Sequence, residues 1–157
     1  MGERTEILKK ELQDARNTLL EAMDTIVETD WAKPTSVEGW TVKDVVAHLA
    51  YNQPTQPRLI RNILDGKGGT PANFDLAYFN RRGIEKQQGK EIPQLKAELA
   101  AGHAETIRLL DEISESDLDK PGSHASAGNT TLEQIFRTIA RHDREHAEHI
   151  RAALQRR

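Results

Sequence analysis

Three of the six histidines in this 157-residue chain crowd into the segment Arg141-His142-Asp143-Arg144-Glu145-His146-Ala147-Glu148-His149. His142 and His146 are four residues apart. At about 100° per residue, positions i and i+4 share a helix face one turn apart, so these two rings can turn toward one ion. The chain has no cysteine, which leaves imidazole, carboxylate and water as the available metal ligands. Spacing alone keeps a second explanation open, because histidines also gather near helix C-termini, where the dipole is negative.

The register of this helix narrows the choice. Leu132, Ile135, Phe136 and Ile139 define an apolar face that runs on through His146 to Ile150 and Leu154. His146 therefore falls within the face expected to be buried, whereas His142 and His149 lie roughly 70° and 90° from its centre. A buried imidazole needs either a metal or a hydrogen-bond partner on a neighbouring helix. Zinc and its relatives normally take three protein ligands, so one more is expected from another helix. His48 is the best candidate, sitting among Val45, Val46 and Leu49 at the border of an apolar face. Asp44, one turn earlier, is placed either to support His48 as a carboxylate partner or to pair with it at i, i+4 spacing. His103, after Gly102, and His124, in a Gly/Ser-rich stretch, are expected at the surface. A zinc peptidase helix requires Glu directly after its first His, and Asp143 stands there, so peptidase chemistry is not expected. Glu145 points about 100° away from His146 around the helix and is no candidate base.

These residues need a scaffold, and the periodicity supplies a helical one. Leu8, Leu12, Ala15, Leu19, Met23 and Ile26 recur in steps of three and four, predicting helix 1 over about residues 4–29. Thr41, with Asp44 three positions on, caps helix 2, and Pro54 and Pro57 predict a kink or restart before 58–64. The run 65–71 is a glycine-rich loop ending in Pro71. Residues 73–88, with Phe74, Tyr78 and Phe79, read as a short extra helix that lids one end of a bundle. Pro93 opens helix 3, which ends near Ser114; 120–129 is a loop; Thr130 to Glu133 forms a capping box for helix 4, which runs to the C-terminus. No strand is predicted. The expected architecture is an all-α four-helix bundle in one domain, 1–157.

Composition removes several function classes. Twenty-two Lys and Arg against 25 Asp and Glu leave a net charge of −3, without the basic field that draws a protein to nucleic acid. The charged N-terminus has no apolar signal core, and no stretch approaches the roughly 20 apolar residues of a membrane helix. A cytoplasmic protein without a membrane partner is expected.

Two motifs together resemble the DinB-like superfamily, which includes the N-terminal domain of mycothiol-dependent maleylpyruvate isomerases. Glu38-Gly39-Trp40-Thr41-Val42-Lys43-Asp44-Val45-Val46-Ala47-His48-Leu49 resembles the start of the family's helix 2, and Arg141 to Ile150 resembles its last helix. The resemblance covers nearly the whole chain. It implies an up-up-down-down four-helix bundle, often a homodimer, with a divalent ion on His48, His142 and His146 and with His149 beside the site. Zinc or nickel is the expected ion among those that imidazoles accept. The resemblance further implies transfer or isomerisation of a small-molecule substrate with a low-molecular-weight bacterial thiol. A metal-dependent hydrolase and a non-catalytic metal or small-molecule binding protein are the alternatives. The chain ends after helix 4, without the further domain of the isomerases, so maleylpyruvate itself is not expected as substrate.

Overall fold

The structure is a computed structural model that describes residues 2–156. Helices α1 (Glu3–Asp24), α2 (Val42–Asn52), α3 (Thr55–Leu64), α5 (Ile92–Glu112) and α6 (Leu132–Gln155) build a four-helix bundle in which α2 and α3 together make one broken strut. The extra helix α4 (Leu76–Gln87) packs on α2. Its cap is Asp75, whose carboxylate accepts the Tyr78 N–H at 3.0 Å. The segment expected to lid the bundle is therefore helical.

Two buried clusters show how the helices run. One joins Leu8 and Leu12 of α1 to Ile60 and Ile63 of α3, Leu109 of α5, and Leu132 and Phe136 of α6. The other joins Leu19 and Met23 of α1 to Val45 and Leu49 of α2, Leu95 and Leu99 of α5, and Ala147 and Ile150 of α6. The start of α1 thus lies level with the start of α6 and with the ends of α3 and α5. Helices α1 and α6 are parallel, and the α2–α3 strut and α5 run the other way. Taken around the bundle from α6, the order is up, up, down, down. Phe136, fully buried, centres the first cluster, and such a side chain contributes roughly 1.5–3 kcal/mol through burial.

The break between α2 and α3 follows from Pro54, which has no N–H to donate. Gln53 still bonds its N–H to the Leu49 carbonyl at 2.9 Å, and α3 restarts at Thr55. Helix α5 crosses close to this break at Gly102. A Cβ there would lie 2.9 Å from the Gln53 carbonyl carbon and from the Pro54 nitrogen. The bare backbone of Gly102 is what allows α5 to approach the break.

Three expectations are corrected. Helix 1 stops at Asp24 rather than near 29, because Thr25 turns its hydroxyl back onto the Ala22 carbonyl at 2.7 Å and Asp30 accepts the Val27 N–H at 2.9 Å in a short turn. The loop 120–129 contains a hairpin, β1 (Pro121–His124) paired antiparallel with β2 (Gly128–Thr131). Nothing in these short strands alternates, so the hairpin rests on outside support. Ser123 donates to the Gly68 carbonyl and accepts from the Thr70 N–H, both at 2.8 Å, fastening the hairpin to the glycine-rich loop. Gly69 permits this with φ +91 and no Cβ, which would fall 2.5 Å from the Ser123 oxygen. The hairpin also moves the α6 cap by one residue, to Thr131, whose Oγ1 accepts the Gln134 N–H at 3.3 Å.

Candidate metal centre

His48 reaches the bundle interior because α2 begins at a fixed point. Thr41 accepts the Asp44 N–H at 3.2 Å, and the Asp44 carboxylate accepts the Thr41 N–H at 2.9 Å. This reciprocal cap sets the register of α2 and points Val45, Val46, His48 and Leu49 inward. It also corrects the expectation that Asp44 supports His48, since the carboxylate is committed to the cap. On α6, His146 is buried and His142 and His149 are half-buried, in keeping with their distances from the centre of the apolar face.

The three rings meet. His142 Nε2 lies 3.1 Å from His48 Nε2 and 3.1 Å from His146 Nε2. One ligand nitrogen from each ring can be chosen so that all lie within 4.8 Å of one another. A ring nitrogen offers one proton or one lone pair, so a single proton on His142 Nε2 would have to be shared between two neighbours. Three lone pairs around a cation remove that conflict. Tetrahedral Zn–N bonds of about 2.0–2.1 Å place ligand nitrogens roughly 3.3 Å apart, close to the spacing seen. The donor set fits a divalent ion.

Two neighbours orient these rings. Trp40 lies against His48 with ring centroids 4.9 Å apart and stacks near His146 at 6.4 Å. His149 Nδ1 is 3.2 Å from His146 Nδ1. A hydrogen there fixes which nitrogen of His146 turns to the centre, the usual arrangement for a metal-binding imidazole.

The centre opens on a cavity of about 560 Å³ that all four histidines line. Val37, Trp40, Leu59, Leu76 and Phe79 give it apolar walls, the last two from α4 and its start. His124, expected at the surface, lines the same cavity from the hairpin.

The match to a family model spans residues 11–150. The chain belongs to the DinB superfamily. A Bacillus mycoides relative, provisionally named a metal-dependent hydrolase, is 25% identical over 158 residues, covering 94% of this chain and 83% of its own. A Bacillus cereus relative with the same provisional name is also 25% identical, with the same coverage. Among solved structures, the mycothiol-dependent maleylpyruvate isomerase superposes with a TM-score of 0.80 at 16% identity, over 93% of this chain. This chain spans 60% of the isomerase's length. YfiT from Bacillus subtilis, described as a probable metal-dependent hydrolase with an unusual four-helix bundle topology, superposes with a TM-score of 0.78 at 18% identity, over 98% of this chain and 87% of that one.

In this DinB superfamily protein, burial keeps the three converging histidines neutral. Burial, with repulsion from neighbouring imidazoles, pushes His48 down to about 3 and His146 down to about 2. Burial lowers His142 as well, against the opposing pull of Asp143 and Glu145. Neutral imidazole is the form that binds metal. In the unfolded chain these groups protonate near the ordinary value of about 6.5, whereas the fold resists the proton. The unfolded state therefore binds more protons below that value, and folding stability falls as pH drops from about 6.5 toward 3. Chelator-treated protein is expected to lose on the order of 1 kcal/mol per histidine per pH unit in that window. Thermal melts at pH 7.5 and 5.0 check this, and a Tm unchanged between them would contradict it.

A second polar group, absent from the sequence-based expectations, lies in the interior. Asp143 is 1% exposed. Its carboxylate accepts from Gln53 Nε2 at 2.6 Å and lies 2.9 Å from His103 Nε2. His103 is 5% exposed, which corrects its expected surface position. The residues Phe136, Ile139, Asp143, His146 and Ile150 are spaced by three, four, three and four, so Asp143 sits in the apolar face itself. That spacing was the available signal, since a carboxylate in such a face must find a partner. It finds one on α5 and one at the α2–α3 break.

Among the described residues, no helix is long and apolar enough to cross a membrane.

Proposed function

We propose that this protein holds a divalent metal ion, zinc or nickel, on His48, His142 and His146, and that it serves transfer or isomerisation with a low-molecular-weight thiol. The convergence of three Nε2 atoms on the wall of a cavity of about 560 Å³ carries this reading. When bound, such an ion supplies Lewis acidity that lowers the pKa of a thiol or a water molecule. The chain has no cysteine, so the thiol must belong to a small molecule. None of the residues lining the cavity is Asp or Glu. Thiol ionisation makes less demand on a carboxylate base than ionising water does, because a free thiol already has a pKa of about 8.5. Trp40 and His149 hold the imidazole planes, and apolar side chains form part of the cavity wall beside them.

The names of the Bacillus relatives favour a second reading, metal-dependent hydrolysis of a small molecule. The cobalt(II) form separates the two. Titration with N-acetylcysteine is expected to produce a thiolate charge-transfer band in the near ultraviolet. A spectrum that N-acetylcysteine leaves unchanged would sink the thiol reading. Metal-dependent turnover of p-nitrophenyl acetate, abolished by chelator, would then favour hydrolysis.

A further inference from the structure

The hairpin carries a histidine that the metal centre does not use. His124 Nδ1 accepts the N–H of Ser126 at 3.1 Å and of Ala127 at 3.4 Å, and the Ser126 hydroxyl lies 3.1 Å from the same nitrogen. A nitrogen that accepts these bonds carries no proton, so the neutral ring holds its proton on Nε2. Nε2 has no partner among the described residues, and the ring belongs to the lining of the cavity. Its position is stiff. His124 pairs with Gly128 across the hairpin, and the adjoining Ser123 is bonded on both sides to the 68–70 loop. A donor fixed in one tautomer and one place is suited to reading a ligand oxygen.

The charge around the cavity says which kind of oxygen. The chain has 25 Asp and Glu, yet none lines the cavity. Arg58, on the exposed side of α3, does line it and has no salt bridge among the described residues. Around these groups stand the apolar walls of Val37, Leu59 and Phe79. We propose that His124 and Arg58 read an anionic group, and that the cavity takes a small organic acid with an apolar body. The carboxylate accepts from His124 Nε2–H and is paired by Arg58, while the apolar body lies against the walls. This rests on the reading of the cavity as the substrate site, but not on which reaction follows there.

Calorimetric titration with phenylacetate and with phenylacetamide, its neutral counterpart of the same shape, tests the assignment in metal-free and in zinc-loaded protein. Wild type is expected to bind the acid at least about tenfold more tightly than the amide, the scale of one charge-assisted hydrogen bond. His124→Asn keeps an acceptor for the hairpin amides but loses the donor at the Nε2 position, and it is expected to remove most of that preference. Arg58→Gln is expected to weaken acid binding while leaving the amide unchanged. Long-range proton–nitrogen NMR of the wild type reads the tautomer directly and is expected to show His124 Nδ1 unprotonated. Failure of the acid to bind, equal affinity for acid and amide, or undiminished preference in a folded His124→Asn variant would overturn the proposal. Failure of the wild type to take up zinc would overturn the metal reading alone, since the comparison in metal-free protein would stand.

Discussion

His146→Ala is expected to abolish stoichiometric metal uptake while leaving the helical content intact. His146 is the ring that both faces His142 Nε2 at 3.1 Å and touches His149 at 3.2 Å, so the change removes a ligand and the anchor of its neighbour together. Loss of a group that merely orients a ligand costs about 10–100-fold in metal affinity, and loss of the ligand itself should exceed that. His149→Ala supplies the comparison, with an affinity reduced but measurable. Competition against a zinc chelator, with elemental analysis of each purified variant, gives the ranking. Metal content equal to wild type in His146→Ala would rule out the three-histidine centre. Below pH 6.5 the metal-free variant should also lose less stability than metal-free wild type, because one of the depressed histidines is gone.

Asp143→Ala should cost about 3–5 kcal/mol of stability, as much as truncating a large core side chain. The carboxylate is 1% exposed and takes hydrogen bonds from two groups that are themselves buried, His103 and Gln53. Truncation leaves both without their partner, and each unmet buried donor costs about 1–3 kcal/mol. Typical domains are stable by about 5–15 kcal/mol, so roughly a fifth or more of the total is at stake. The group also ties α6 to α5 and to the α2–α3 break, so its loss loosens three elements at once. Urea denaturation of wild type and variant measures the difference, and a loss below 1 kcal/mol would contradict this account. The double variant Asp143→Leu with His103→Leu should recover part of the loss, since removing both polar partners leaves fewer unmet groups than removing one.

Local chemistry was readable along the chain, and long-range partnership was not. The steps of three and four from Leu8 to Met23 and from Leu132 to Ile150 announce α1 and α6, because helical periodicity is a property of consecutive residues. The same arithmetic puts His142 and His146 on neighbouring turns, and the Thr41–Asp44 cap marks where α2 begins. Proline chemistry likewise announces the interruption before α3. The approach of His48 to α6 was suggested by its motif, but how closely its ring meets His142 depends on how two helices cross, which no local rule supplies.

His103 and His124 show the same limit from the other side. Their neighbours Gly102 and Ser123 look like surface punctuation in one dimension. In three dimensions Gly102 is where α5 presses against the α2–α3 break and carries His103 inward to Asp143, and Ser123 is where a glycine-rich loop some fifty residues earlier clamps the hairpin. Periodicity reports which side of a helix is buried. Which residue waits on the opposite helix, and whether a Gly/Ser-rich stretch is held in place by a distant loop, follows only from packing the helices together.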